Sequence, residues 1–167
     1  MPVLMAIAAT VLLAGAAAPH FAPLPANAET FVRMPKDPDA ATIRRDVAAI
    51  AALKADVDPV IEVMVSYDGD GPSPAWRAER DLEPRFEAIL ASRGAHARLV
   101  ATSFTHYKRE YWFAPDDDVA LVTAFRALPQ PPGAAIAVLR SNLDALKALA
   151  PGPGERAAAH RRSPARR

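Results

Sequence analysis

The sequence predicts an α+β fold, and three observations lead there. Residues Val60–Tyr67, VIEVMVSY, alternate as a strand does, with Ile61, Val63, Val65 and Tyr67 on one face and Val60, Glu62, Met64 and Ser66 on the other. Two further runs rich in strand formers, Arg98–Phe104 and Lys108–Ala114, are joined by a short polar link, Thr105–Tyr107, which reads as a hairpin turn. Two stretches carry apolar residues at helical spacing: Leu82, Phe86, Ile89 and Leu90 in one, Leu121, Val122, Phe125 and Leu128 in the other. With a last strand at Ala134–Leu139, the order is βαββαβ. This is the ferredoxin-like pattern of one antiparallel sheet with helices on one face, here with one extra N-terminal helix.

The elements follow in order. Pro2–Ala18 is apolar and uncharged, a Pro-broken stretch follows, and Ala26-Asn27-Ala28 offers small residues for cleavage. Residues 1–28 therefore read as a secretory signal peptide, although no Lys or Arg precedes the apolar run. The mature chain is expected to begin at Glu29, with a single α+β domain over 29–150 and a disordered basic tail over 151–167. Glu29–Asp37 reads as a polar lead-in. A helix is expected over 39–55, with the stripe Ile43, Val47, Ile50, Leu53 and Val57, ended by Asp58-Pro59.

After the first strand, Ser73-Pro74 starts a helix over 76–93 that Gly94 caps; Pro84 within it should kink the helix or restart it near Asp81. Pro115 ends the hairpin, and Asp116–Asp118 open a helix over 116–128 with negative charge at its positive dipole end. A short last helix, Leu143–Leu149, is opened by Ser141. The expected core is Ile61, Val63, Val65, Phe86, Ile89, Leu99, Tyr111, Phe113, Leu121 and Phe125.

Composition removes several chemistries. The 167 residues include no cysteine, which excludes disulfides, thiolate nucleophiles, Cys-ligated zinc and a lipid-anchored cysteine. Basic and acidic residues nearly balance at 20 and 19, but the tail from Pro151 carries five arginines against one glutamate. The rest of the chain is mildly acidic, so no specific nucleic-acid partner is expected. The tail should be drawn weakly to anionic surfaces.

The motifs point away from catalysis. Asp68-Gly69-Asp70-Gly71 has the look of a calcium loop, but Pro72 sits where an oxygen ligand belongs, so a tight solvated turn is expected. His96 and His106 fall in loops, away from any evident carboxylate partner. Ser66, Ser73, Thr102, Ser103 and Thr105 lie in no nucleophile motif, and there is no phosphate-binding glycine loop. No catalytic residue, metal ligand or cofactor is expected. On the second hairpin strand Tyr111 and Phe113 are expected to face the helices and Trp112 the open side of the sheet. There Trp112 either packs under the extra helix or joins Glu110, Met64 and Phe104 in a binding surface for another protein.

One stretch resembles a known family. Val60–Pro129 is similar to the bacterial domain of unknown function family 695, most clearly in Lys108-Arg109-Glu110-Tyr111-Trp112-Phe113-Ala114-Pro115-Asp116. The hairpin turn here lacks the glycine of that pattern. The layout of the first helix, Asp58-Pro59 and the strand is also similar to the ribonuclease E inhibitor B family. The first resemblance implies a fold more than an activity. The expected function is an exported, non-enzymatic binding or regulatory module. The alternatives are an intracellular regulator of an RNA-processing enzyme, should the signal be a wrong start, and a hydrolase with an unrecognised site.

Overall fold

The computed structural model describes residues 18–33, 41–54, 58–67, 82–105, 107–130 and 133–150. In chain order these form β1 (Phe21–Ala22), β2 (Glu29–Arg33), β3 (Ala41–Arg45), α1 (Val47–Ala52), β4 (Val60–Tyr67), α2 (Leu82–Arg93), β5 (Ala97–Phe104), β6 (Lys108–Pro115), α3 (Asp118–Arg126), β7 (Ala134–Ser141) and α4 (Leu143–Lys147). All seven strands belong to one sheet, ordered β2-β3-β5-β6-β4-β7, with β1 attached to β5. Neighbours run antiparallel, except that β1 pairs parallel with β5. One side of β5 is shared end to end: β1 lies beside Ala97 and Arg98, and β3 beside Ala101–Phe104.

Strand alternation builds the main core as expected. Ile61 lies opposite Phe113, Val63 opposite Tyr111, and Leu99 opposite Phe113. Onto this face α2 and α3 lay Leu82, Phe86, Leu90, Leu121 and Phe125, all essentially without solvent exposure. Phe86 is the centre, its ring edge-on to Tyr111, Phe113 and Phe125 at centroid distances of 5.1, 5.2 and 5.3 Å. Of the expected core residues only Ile89 is partly rather than fully buried.

The helix ends also follow the sequence chemistry. Asp117 caps α3, accepting from the backbone N–H groups of Val119 and Ala120 at 2.9 and 3.0 Å. Gly94 ends α2 at φ +62°, which lets the Ala95 N–H reach back to the Leu90 carbonyl at 3.1 Å. Pro84 lies inside the helix, two residues into its described part, and the stretch near Asp81 where a restart was expected lies outside the described residues. At the last helix the cap is Asn142, not Ser141: the Asn142 side chain accepts from the Ala145 N–H at 2.8 Å.

The N-terminal region departs from expectation. Where one helix was expected over 39–55, Ala41–Arg45 is a strand and α1 occupies only Val47–Ala52. Ile43 satisfies both patterns, since it lies on the helical stripe and also on the inward face of an alternating strand. Ala41 and Ile43 are buried while Thr42 between them is exposed, and Val47, on the supposed stripe, is half-exposed. The expected polar lead-in is β2, which pairs with β3 through Phe31–Ile43. β1 lies inside the stretch read as a signal peptide.

Asp46 is the hinge between β3 and α1. Its backbone N–H donates to the Val100 carbonyl at 2.9 Å, and its carboxylate accepts from the Ala49 N–H at 3.0 Å and from Arg98 Nη2 at 2.6 Å. The apolar segment before Ala18, Val57, the Asp68–Pro72 loop, the helix start near Ser73, His106 and the tail lie outside the described residues.

Candidate functional site

Among the described residues, the second face of the sheet is covered at one end only. There α1 and α4 pack Ile50, Leu143 and Leu146 over Val60, Val100, Ala101 and Trp112. Trp112 is 4% exposed, so of its two expected settings it takes the packed one, under the two short helices α1 and α4. Beyond it the same face carries Glu62, Met64, Lys108 and Glu110, all outside that apolar cluster and all partly exposed.

The strand register sets this group. Glu62 lies opposite Trp112, Met64 opposite Glu110, and Ser66 opposite Lys108 across the β4–β6 pair. On the flanks, Ser103 lies opposite Glu110, and Leu139 and Ala137 lie beside Glu62 and Met64. Three of the four residues expected in a binding surface, Trp112, Glu110 and Met64, are thus brought together.

Phe104 is on the other face. Alternation counted from Leu99 would place it beside Glu110, but β5 carries an irregularity between Leu99 and Ala101 that inserts one residue and reverses the faces beyond it. Phe104 instead lies edge-on to Tyr111 at 5.6 Å, under the guanidinium of Arg109 at 4.3 Å.

The electrostatics single out Glu62, which sequence reasoning missed as a site residue. Burial, and then the negative charge of Glu110, push its carboxyl above the ordinary 4.5. Lys108 acts in the opposite sense, as does the indole N–H of Trp112. That N–H is buried and falls short of full hydrogen-bond geometry with any partner, so its effect on Glu62 is electrostatic rather than a made bond. Lys108 is ion-paired with Glu110. Among the described residues two carboxylates thus share one ammonium, which leaves net negative charge beside an unsatisfied donor. The clue in the sequence was one acidic residue in the middle of an otherwise apolar strand.

A second polar group lies at the sheet's other end. His96, expected to be solvated, is exposed but stacks on His20 with ring centroids 4.4 Å apart and planes 12° from parallel. Glu87 of α2 accepts from the backbone N–H groups of His20 at 3.2 Å and Phe21 at 2.6 Å. Desolvation works to raise the Glu87 carboxyl, but these two N–H donors and the His20 imidazole outweigh it and hold it below the ordinary 4.5. Among the described residues no group of three His, Cys, Asp or Glu is placed to hold a metal ion. No helix among them is long and apolar enough to cross a membrane. No protein-family model, curated protein or solved structure matches the chain.

Proposed function

We propose that the protein is an exported, non-enzymatic binding or regulatory module. It engages another protein through the partly covered sheet face at Glu62, Met64, Lys108 and Glu110, with the Trp112 indole N–H at its edge. The observation that carries this reading is Glu62. Its charged form is held half-buried beside a second carboxylate, an arrangement that costs stability and concentrates at functional sites. The uncompensated negative charge suits a partner segment that presents Lys or Arg. The four strands β5-β6-β4-β7, antiparallel and backed by α2 and α3, support a ferredoxin-like reading of the domain. They make a rigid platform for such a surface. The resemblance of Val60–Pro129 to the domain of unknown function family 695 is in keeping with a module of this kind.

A photo-crosslinking residue placed at Met64 in the full chain, in cells, tests this. It should give a discrete adduct with one protein, while the same probe at Thr123, exposed on α3, should not. Equal labelling from both positions would remove the case for this face.

A second reading, an intracellular regulator of an RNA-processing enzyme, draws support from one observation: β1 is part of the sheet although it lies in the stretch read as a signal. Cell fractionation separates the two readings, since the first requires the protein in the envelope or outside the cell and the second requires it in the cytoplasm.

A further inference from the structure

The residues just after the apolar N-terminal run are built into the fold. Phe21 is buried to 7% exposure, in contact with Phe86 and Phe113 at centroid distances of 5.9 and 6.2 Å. The His20 carbonyl accepts from the Ala97 N–H at 2.9 Å, continuing the sheet past the end of β3. Glu87 takes the N–H groups of His20 and Phe21, and the His20 ring stacks on His96. Leu24 packs against the main core, and the Ala28 N–H closes a turn onto the Pro25 carbonyl at 3.0 Å. A cut after Ala28 would remove every one of these contacts. It would also leave the β5 edge at Ala97 and the aromatic centre at Phe86 and Phe113 open to water.

Resting on the export reading, we infer that the processing site lies upstream of Pro19, within Gly15–Ala18, and that residues 19–28 belong to the mature domain. The sequence offers a site there. Val3–Leu13 is an uncharged run of signal-core length, apolar but for Thr10, and Ala14-Gly15-Ala16-Ala17-Ala18 follows it directly with small residues at every position a peptidase pocket reads. Cleavage after Ala17, which keeps Pro19 off the scissile bond, sets the new α-ammonium within a few residues of the N–H groups that Glu87 accepts. The freed terminus then adds a positive charge near a carboxylate already held ionised. The Pro19–Ala28 stretch is then an N-terminal strap that completes the sheet, not a leader remnant.

The test is intact-mass analysis of the full chain, expressed with a C-terminal tag in an export-competent bacterial host and recovered from each cell fraction. Envelope protein beginning upstream of Pro19, at Ala18, is the expected result. Envelope protein beginning at Glu29 would overturn the inference and leave export standing. Uncut protein confined to the cytoplasm would overturn export, and the inferred cut with it.

Hydrogen exchange on the recovered protein provides the structural arm: the Ala97 amide should be strongly protected. Substituting Phe21→Ala should lower the thermal midpoint by roughly 8 °C or more. Free exchange at Ala97, or an unchanged midpoint, would show that the strap is not part of the mature fold.

Discussion

Glu62 lies on one face of the sheet and Glu87 on the helix α2 that covers the other, and their surroundings push their carboxyls in opposite directions. For Glu62 the folded state disfavours the charge. That cost is fully present above its raised value and vanishes as pH falls below the ordinary 4.5. Glu62→Gln should therefore raise the thermal midpoint at pH 7 and leave it unchanged near pH 4, as scanning calorimetry at the two pH values would register. Glu87 behaves in reverse: its lowered value contributes stability that is present above 4.5 and lost as pH falls through the folded value. Glu87→Gln should lower the midpoint at pH 7 and have no effect at strongly acid pH. Asp46 is a third residue with a defined role. Asp46→Ala removes the cap of α1 and the partner of Arg98, for an expected cost of about 1–2 kcal/mol by urea denaturation. Asp46→Asn keeps the cap and should recover part of the loss.

At the scale of elements, the aromatic centre dominates. Truncation of Phe86 or Phe113 to alanine should cost about 3–5 kcal/mol, because each leaves a cavity among rings that are fully buried. A loss below about 1 kcal/mol in equilibrium unfolding would contradict the packing. These central elements were legible because each had one dominant period: two in β4 and β6, and helical in α3. The two caps at Asp117 and Gly94 were legible because side-chain chemistry is local. The β3–α1 segment was not, because Ile43 fits both periods and the choice is made by its pairing with Phe31 on another strand, a contact that periodicity does not register. Phe104 was misplaced for a related reason: a one-residue irregularity in β5 leaves no mark on composition but reverses every face beyond it. β1 was hidden by the apolar run that precedes it, which made the whole segment read as leader.

At the scale of the molecule, two short helices, α1 and α4, close one end of the second sheet face, and among the described residues the other end is partly exposed. α4 is itself tied down: Arg33 Nη2 donates to the carbonyls of Ala148 and Ala150 at 3.0 and 2.8 Å, and Leu149 packs against the Phe31–Ile43 cluster. Deletion of Pro151–Arg167 should therefore leave the thermal midpoint unchanged and reduce attraction to anionic vesicles at low salt. A lower midpoint would place part of the tail on the domain. The partly exposed end holds Glu62, whose carboxyl burial and Glu110 together push up, and on it rests the claim that this face meets a partner. The most direct measurement combines the two. With the photo-crosslinker at Met64, adduct formation is compared between the wild-type chain and Glu62→Gln, and melting curves are recorded for both. The predicted result is loss of the adduct from a protein that is at least as stable as wild type. Undiminished adduct from the Glu62→Gln protein would contradict a role for this carboxylate in recognition.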